Sequence, residues 1–211
     1  MATQVDICNW GLALIGANPI TSFADGSVEA NLCQSLYPIL QDDVLSARAW
    51  TFATTKTLWT SGVPPNPLPP TAGWAYLMPS DCLRIIRIFN PLPMAYGFQD
   101  NTSVPEAPDN QVSSVGFEVL ERWAYTQFVG PTAWVKWIQR ITDPMQYSPG
   151  FISALAQRIA MELAMPITNN PEIYQSMMKL YAAKIQDASS TEGQQGTAVR
   201  IRARTLASKR S

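Results

Sequence analysis

The sequence predicts an α+β fold: a four-helix bundle with an inserted β-rich lobe and an extended C-terminal arm. Three observations predict it: helical periodicity at both ends, strand-like segments in a Pro- and Trp-rich middle, and a basic tail behind a polar linker. We expect three units: a helical bundle domain (residues 1–56 and 148–188), a β-rich inserted domain (57–147), and a flexible linker with a basic arm (189–211).

The first helices follow from apolar spacing. Apolar residues spaced three and four apart predict a helix from Val5 to about Gly16. Asn18-Pro19 and Asp25-Gly26 then mark a turn. Ser27 is a suitable N-cap for a longer second helix. Its apolar face comprises Cys33, Leu36, Leu40, Val44 and Ala47.

The segment 45–59 joins this helical pattern to the strand-like middle. Trp50, Phe52 and Trp59 lie at the junction, where a solvated linker would be polar. We therefore expect these aromatic side chains to tie the helices and the lobe into one body. An alternative, that the tryptophans of residues 50–137 are interface anchors, is the less common use of such a cluster.

Short strand-like segments follow the junction. Pro fixes φ and removes a donor, so the proline run at 63–70 is predicted to be extended surface chain. Residues 92–112 are predicted to form a long loop, and loops of that length usually carry function or move. The predicted strands are 73–78, 82–89, 116–125 and 134–141.

Two more helices end the predicted bundle. Ser148-Pro149 combines an N-cap with Pro at the first helical position, and Asn170-Pro171 repeats the signal. Met165-Pro166 is predicted to stop the third helix, and the fourth is predicted to end near Ala188.

The C-terminal arm alternates apolar and cationic residues, which puts them on opposite faces of an extended segment. The tail 189–211 has five basic residues and one acidic residue, net +4, whereas the remaining chain has ten basic and fifteen acidic groups, net −5. We predict a partner-binding arm; the alternatives are a solubilising tail and a nucleic-acid arm. Its predicted binding residues are Val199, Arg200, Ile201, Arg202, Arg204 and Leu206.

Composition argues against catalysis. The chain has no histidine, which removes the commonest general base and the commonest zinc ligand. Metal-ligand spacings and glycine-rich phosphate loops are absent from the sequence, so we expect no catalytic site, cofactor or metal. Asp81, Glu118 and Glu121 are the carboxylates from which an acid–base pair could be built, which keeps a hydrolase as a remote alternative.

Partners and compartment follow from composition. Charged residues make up 15% of the chain, against about 25% in ordinary soluble proteins, which favours an exterior that meets other protein; a compact monomer with an uncharged polar surface is the alternative.

The chain has no run suited to a membrane span and no signal peptide. Cys8, Cys33 and Cys82 are widely spaced and are predicted to be free thiols, so we expect synthesis in a cytoplasm.

Several segments, in order, resemble one protein family. Residues 6–16, 19–23, 30–37 and 48–54 are similar to the opening of the tail tubular protein A family, the head-to-tail adaptors of short-tailed bacteriophages. Residues 73–85 resemble a central segment of that family, and residues 148–151, 154–164 and 166–168 resemble its C-terminal helical pair. The resemblance covers about residues 4–188. The arm and the loop 92–112 depart from it.

The resemblance implies a structural virion protein without catalysis. Twelve copies would form a ring between the portal protein and a tail nozzle like tail tubular protein B, made in the bacterial host cytoplasm and carried at the head–tail junction. DNA would pass through the lumen without sequence recognition, and the C-terminal extension would grip the portal. The alternative from the residues alone is a monomeric nucleic-acid-binding module that uses its basic arm.

Overall fold

The computed structural model describes residues 2–65, 73–89, 114–127 and 130–193. Over these residues the protein is α+β, with four α helices and two small antiparallel sheets in the chain order helices, strands, helices. The helices are α1 (Gln4–Leu14), α2 (Val28–Ala47), α3 (Pro149–Leu163) and α4 (Pro171–Gly193). The strands are β1 (Thr54–Thr60), β2 (Trp74–Leu77), β3 (Cys82–Phe89), β4 (Ser114–Val115), β5 (Phe117–Leu120), β6 (Trp123–Thr126) and β7 (Thr132–Gln139).

Side-chain caps begin the helices. Ser27 and Ser148 each accept a hydrogen bond from the backbone N–H three residues on, at 3.2 and 3.3 Å, which confirms both predicted N-caps. Thr3 and Asp6 form a reciprocal capping box at the start of α1. The hydrogen bond from the Thr3 backbone N–H lowers the pKa of the Asp6 carboxyl most, and the hydrogen bond from the Thr3 hydroxyl lowers it further. The Asn170 side chain accepts from the Glu172 N–H at 2.9 Å as α4 begins.

The third helix ends close to its predicted stop at Met165-Pro166, but a turn that was not predicted follows it. The α-helix ends at Leu163, and Ala164–Thr168 continues as a π-helical turn. Within it the Thr168 hydroxyl donates to the Ala164 carbonyl at 2.6 Å, and Asn169 ends it with a left-handed φ of 49°.

The fourth helix is longer than predicted. It runs to Gly193, so residues 189–193, assigned to the flexible linker, are helical. Ser and Thr are weaker helix formers than Ala, but no Pro or Gly interrupts the sequence between Pro171 and Gly193, so an established helix propagates to that glycine.

The strands surround one core. The first sheet has the order β1-β7-β3-β4 and the second β2-β6-β5. On one side β4 passes into β5 through Gly116, and on the other the Gly62 N–H donates to the Ala75 carbonyl at 2.9 Å, beside a bridge between Ser61 and Tyr76. We call this unit the barrel. Its buried interior comprises Trp59, Tyr76, Ile85, Ile88, Ala124, Ala133, Val135 and Trp137.

The strand predictions at 73–78 and 82–89 are confirmed, and 134–141 corresponds to β7, which begins two residues earlier at Thr132. The single strand predicted at 116–125 is wrong: it is the β5–β6 hairpin. Its turn includes Glu121, whose left-handed φ of 55° lies in the reversal of the chain between the two strands. The loop 92–112 and most of the proline run lie outside the described residues.

The helices form a second core around α3, which contacts α1, α2 and α4. Its small buried residues Ala154, Ala156 and Ala160 let neighbouring helices approach closely. A Cβ on Gly11 of α1 would lie 2.9 Å from the Ala156 carbonyl, so α1 passes α3 at near backbone contact. The barrel adds Ile138 to this core, with Leu83 and Ile86 packed against it.

Candidate functional site

Two of the predicted junction residues lie in the helical core. Trp50 is fully buried and donates its indole N–H to the Val44 carbonyl at 2.8 Å. Its ring meets Phe151 of α3 edge-on, with 5.2 Å between ring centroids, and Phe52 meets Phe151 at the same distance. Tyr147 extends this cluster, 4.7 Å from Phe151. Residues just before and just after the barrel therefore share one aromatic cluster.

The third predicted junction residue, Trp59, lies in the barrel instead. Its ring is 6.0 Å from Trp137, and both indole N–H groups donate to the Thr57 hydroxyl oxygen at 2.9 Å. The junction aromatics are therefore divided between two cores. Thr57 supplies the acceptor that lets two tryptophans be buried side by side.

Polar contacts attach the segment that follows β7 to helix α2. The Arg140 guanidinium makes a bidentate pair with Asp42, with Nε 2.9 Å from each carboxylate oxygen, and hydrogen bonding to Asp42 raises the pKa of Arg140. The buried Gln41 amide donates to the Ile141 carbonyl at 2.7 Å. The Arg140 N–H also donates to the Asp81 carbonyl at 2.7 Å. Barrel and helices are thus joined by a hydrogen bond from the buried Gln41 amide and by a bidentate ion pair at the surface.

A second ion-pair group joins α3 to α2. The Arg158 Nε donates to Asp43 at 2.8 Å, and its Nη1 donates to Glu162 one turn along α3. Burial lowers the pKa of Arg158, but these hydrogen bonds outweigh burial and leave the pKa above its usual value. Arg158 also lies 5.8 Å from the Tyr181 ring of α4, so it touches three helices.

A cleft of about 580 Å³ opens where the chain after β7 meets α2. Burial raises the pKa of Tyr37, and it raises the pKa of Tyr147 to about 12, so neither phenol serves as a base at neutral pH. Sequence reasoning missed the cleft, because its residues come from separate segments. They are Gln4, Phe23, Gln34, Tyr37, Pro38, Gln41, Asp42, Arg140 and Thr142.

The carboxylates considered for catalysis have separate structural positions. Asp81 precedes β3 and accepts from the Gln139 amide at 2.7 Å. Glu118 lies on β5 in the other sheet, and Glu121 forms the turn after it. Across the described ranges, no three His, Cys, Asp or Glu residues are grouped so as to hold a metal ion. No described helix combines the length and apolarity needed to cross a bilayer.

Cations lie side by side on the outer face of the first sheet. Lys56, Lys136 and Arg87 are in register across β1, β7 and β3, and the exposed Arg84 follows one row away. We call these four residues the cationic row. The Lys56 ammonium lies 5.0 Å from the Phe89 ring. The row places four cationic side chains on one face of the sheet.

The second sheet carries an apolar row on its outer face. Leu77, Trp123 and Leu120 are in register across β2, β6 and β5, and the two leucines are 53% and 43% exposed. A Cβ on Gly62 would lie 3.0 Å from the Trp123 ring, so glycine lets the indole approach the chain closely there. Neither row was predicted, because each exists only once strand register is known.

The predicted portal-binding arm, from Val199 to Leu206, lies outside the described residues. No protein-family model matches the chain, and no curated protein matches it. The adaptor interpretation therefore depends on the resemblance of the quoted segments and on the physical features of the fold.

We expect Trp50→Ala to lower the free energy of unfolding by about 3–5 kcal/mol, because it removes a fully buried indole from the aromatic cluster. Urea denaturation followed by circular dichroism measures the change. Trp10→Ala is the control, since Trp10 is 44% exposed and should cost far less. Similar losses in the two variants would contradict a core role for Trp50.

We expect Thr57→Val to destabilise the barrel, because two indole N–H groups lose their acceptor at a cost of about 1–3 kcal/mol each. Thr57→Ser keeps the oxygen and should stay close to the wild type. The same denaturation experiment compares them, with the Trp59 and Trp137 environments followed by near-ultraviolet circular dichroism. Equal stability of the Val and Ser variants would show that the shared acceptor has no energetic role.

Proposed function

We propose that this protein is a head-to-tail adaptor of a short-tailed bacteriophage. In this proposal, twelve copies form a ring between the portal and the tail nozzle, and DNA is ejected through the lumen. The four helices act as a bundle in the ring body, the inserted barrel faces the nozzle, and the arm beyond α4 docks on the portal. The protein is then a structural component of the virion tail and not an enzyme.

One observation carries the proposal: the barrel is held rigidly to the helices at both of its connections. Trp50 before the barrel and Phe151 after it are in edge-to-face contact at 5.2 Å. Arg140 and Gln41 add directional bonds across the same joint. A connector has to hold two different partners in fixed relative positions, and this joint supplies that rigidity.

The surfaces suit a subunit that meets protein on several sides. The apolar row Leu77–Trp123–Leu120 offers a partly buried indole between two exposed leucines, and aromatic anchors of this kind are favoured in protein interfaces. We assign this row to the nozzle side because it belongs to the barrel. A ring uses heterologous contacts, so the acidic body and the cationic row of neighbouring copies can also face each other.

Electron microscopy of the purified protein, alone and mixed with the portal protein of the same virus, tests the ring. We expect twelvefold density seated on portal particles. Ring formation by the free protein is not required, since the portal can template assembly. Portal particles that stay bare at micromolar protein would contradict the proposal.

Deleting residues 197–211 should abolish stable portal association while leaving the melting temperature nearly unchanged. The physical reason is that the deletion begins beyond Gly193, where α4 ends, and so spares every described core contact. Co-sedimentation with portal particles and a thermal melt measure the two effects. A matched control replaces Arg200, Arg202 and Arg204 by Gln within the full-length chain; it separates the arm's charge from its length. Full portal binding by the truncated chain would contradict the arm's assignment.

The cationic row favours a second candidate, a nucleic-acid-binding module. It places Lys56, Lys136 and Arg87 on adjacent strands, with Trp134 of β7 5.9 Å from the Lys56 ammonium. Phosphate contacts release counterions, so affinity for a short DNA duplex would then fall steeply with salt. Fluorescence anisotropy of wild type and of an Arg84→Gln/Arg87→Gln variant, at several salt concentrations, decides between the two. Weak binding that the variant does not alter favours the adaptor.

A further inference from the structure

The cleft between α2 and the chain after β7 has walls that hydrogen bonds hold in place. One wall is the loop before α2, which carries Phe23. The Asn9 amide fixes that loop, because it donates to the Ile20 carbonyl at 2.9 Å and accepts from the Ile20 N–H at 2.7 Å. The opposite wall carries Arg140, held by its bidentate pair with Asp42. The cleft is therefore formed before anything enters it, which lowers the entropy cost of binding.

The chemistry of the cleft combines rings with N–H donors. The Phe23 and Tyr37 ring centroids are 6.2 Å apart, and the exposed Pro38 follows Tyr37 on α2. Gln4 and Gln34 bring side-chain amides to the same cleft. Its two charged residues pair with each other, so the cleft has no excess charge. Rings beside N–H donors suit a polyproline II segment, whose carbonyls have no internal partner.

We propose that this cleft binds the proline run, residues 63–70, of a neighbouring copy of the chain. The run belongs to a stretch, residues 57–80, that has no charged residue, which matches a cleft without excess charge. Most of the run lies outside the described residues, but Val63 is 92% exposed and Pro65 is exposed, so it begins in solvent. In the extended helix that the sequence predicts, three residues per turn put Leu68 on the side of Pro65.

Both ends of the run are fixed to the barrel. The Gly62 N–H donates to the Ala75 carbonyl at 2.9 Å, and the Gly73 N–H donates to the Thr126 carbonyl at 2.8 Å. Ten residues separate the two glycines. Because the chain has to go out and come back, its middle extends at most about 20 Å from the barrel.

The cleft lies at the other end of the barrel. Thr132 at the start of β7 pairs with Thr60, just before the run, and Arg140 follows eight residues later. A strand of that length measures about 26 Å, so the run falls short of the cleft in its own copy.

A neighbouring copy can bring its run to the cleft. Each copy then offers a run at one end and a cleft at the other, a heterologous contact that can close a ring. This inference deepens the proposed adaptor function and rests on it for the presence of neighbouring copies. It also requires β7 to lie along the circumference of the ring and not along its axis.

The test titrates the full-length chain into a fluorescently labelled peptide of residues 61–72 and follows fluorescence anisotropy. The chain carries Pro65→Ser and Leu68→Ser, so that the runs of other copies do not compete for the cleft. We expect saturable binding of the wild-type peptide, and binding at least about fivefold weaker for a peptide with the same two serines. The experiment contains no portal, so its outcome is separate from that of the portal experiments.

Two further substitutions in this chain locate the binding site. Gln34→Trp fills the cleft from an exposed position on α2 and should weaken peptide binding at least about tenfold. Ile39→Trp is the matched control, because it adds the same ring at a 64% exposed position of α2 that does not line the cleft, and it should leave binding unchanged.

Three results would overturn the inference: no peptide binding at millimolar concentrations of the chain, equal binding by the Gln34→Trp and Ile39→Trp chains, or tighter binding in the cleft by an arm peptide of residues 197–211. Peptide binding that only Gln34→Trp weakens supports the contact even where portal particles stay bare, a result that would contradict the adaptor proposal alone.

Discussion

The edge-to-face contact between Trp50 and Phe151 is the interaction on which the rest of the structure depends. One ring belongs to the chain entering the barrel and the other to the chain leaving it, and their centroids are 5.2 Å apart. The contact therefore closes a long loop that contains the whole barrel. At the base of the same loop, Ile138 lies in the helical core and Arg140 pairs with Asp42. The closure entropy of such a loop is offset by burial of large aromatic side chains at its base.

Features that depend on local sequence were predictable. Ser27 and Ser148 cap helices because a hydroxyl at that position accepts an otherwise unpaired N–H. The helices and the strands at 73–78 and 82–89 follow from apolar spacing. The end of the fourth helix was wrong, because a polar composition after Ala188 does not by itself end a helix. Helical hydrogen bonding continues there to Gly193, and a π-helical turn carries the chain from the end of α3 to the left-handed Asn169.

Features that depend on register and on meeting of distant segments were not predictable. Trp50 and Trp59 are nine residues apart and look alike in sequence, yet they belong to different cores. The cationic row requires that Lys56, Lys136 and Arg87 be neighbours on three strands, which no single strand reveals. Apolar periodicity predicts which face of a helix or strand is buried, but not which element packs against that face.

The arrangement of β7 also governs how the chain can be made. This strand pairs with β1 on one side and β3 on the other, and the Thr57 oxygen that holds Trp59 also holds Trp137, eighty residues later in the chain. During synthesis, β1 and β3 therefore leave the ribosome without their common neighbour. Their apolar sides stay uncovered until the last barrel strand emerges, and the aromatic cluster is completed only when α3 follows. The barrel and the aromatic cluster can consequently be completed only after β7 and the first turn of α3 have left the ribosome, so the middle segment stays exposed to aggregation until then.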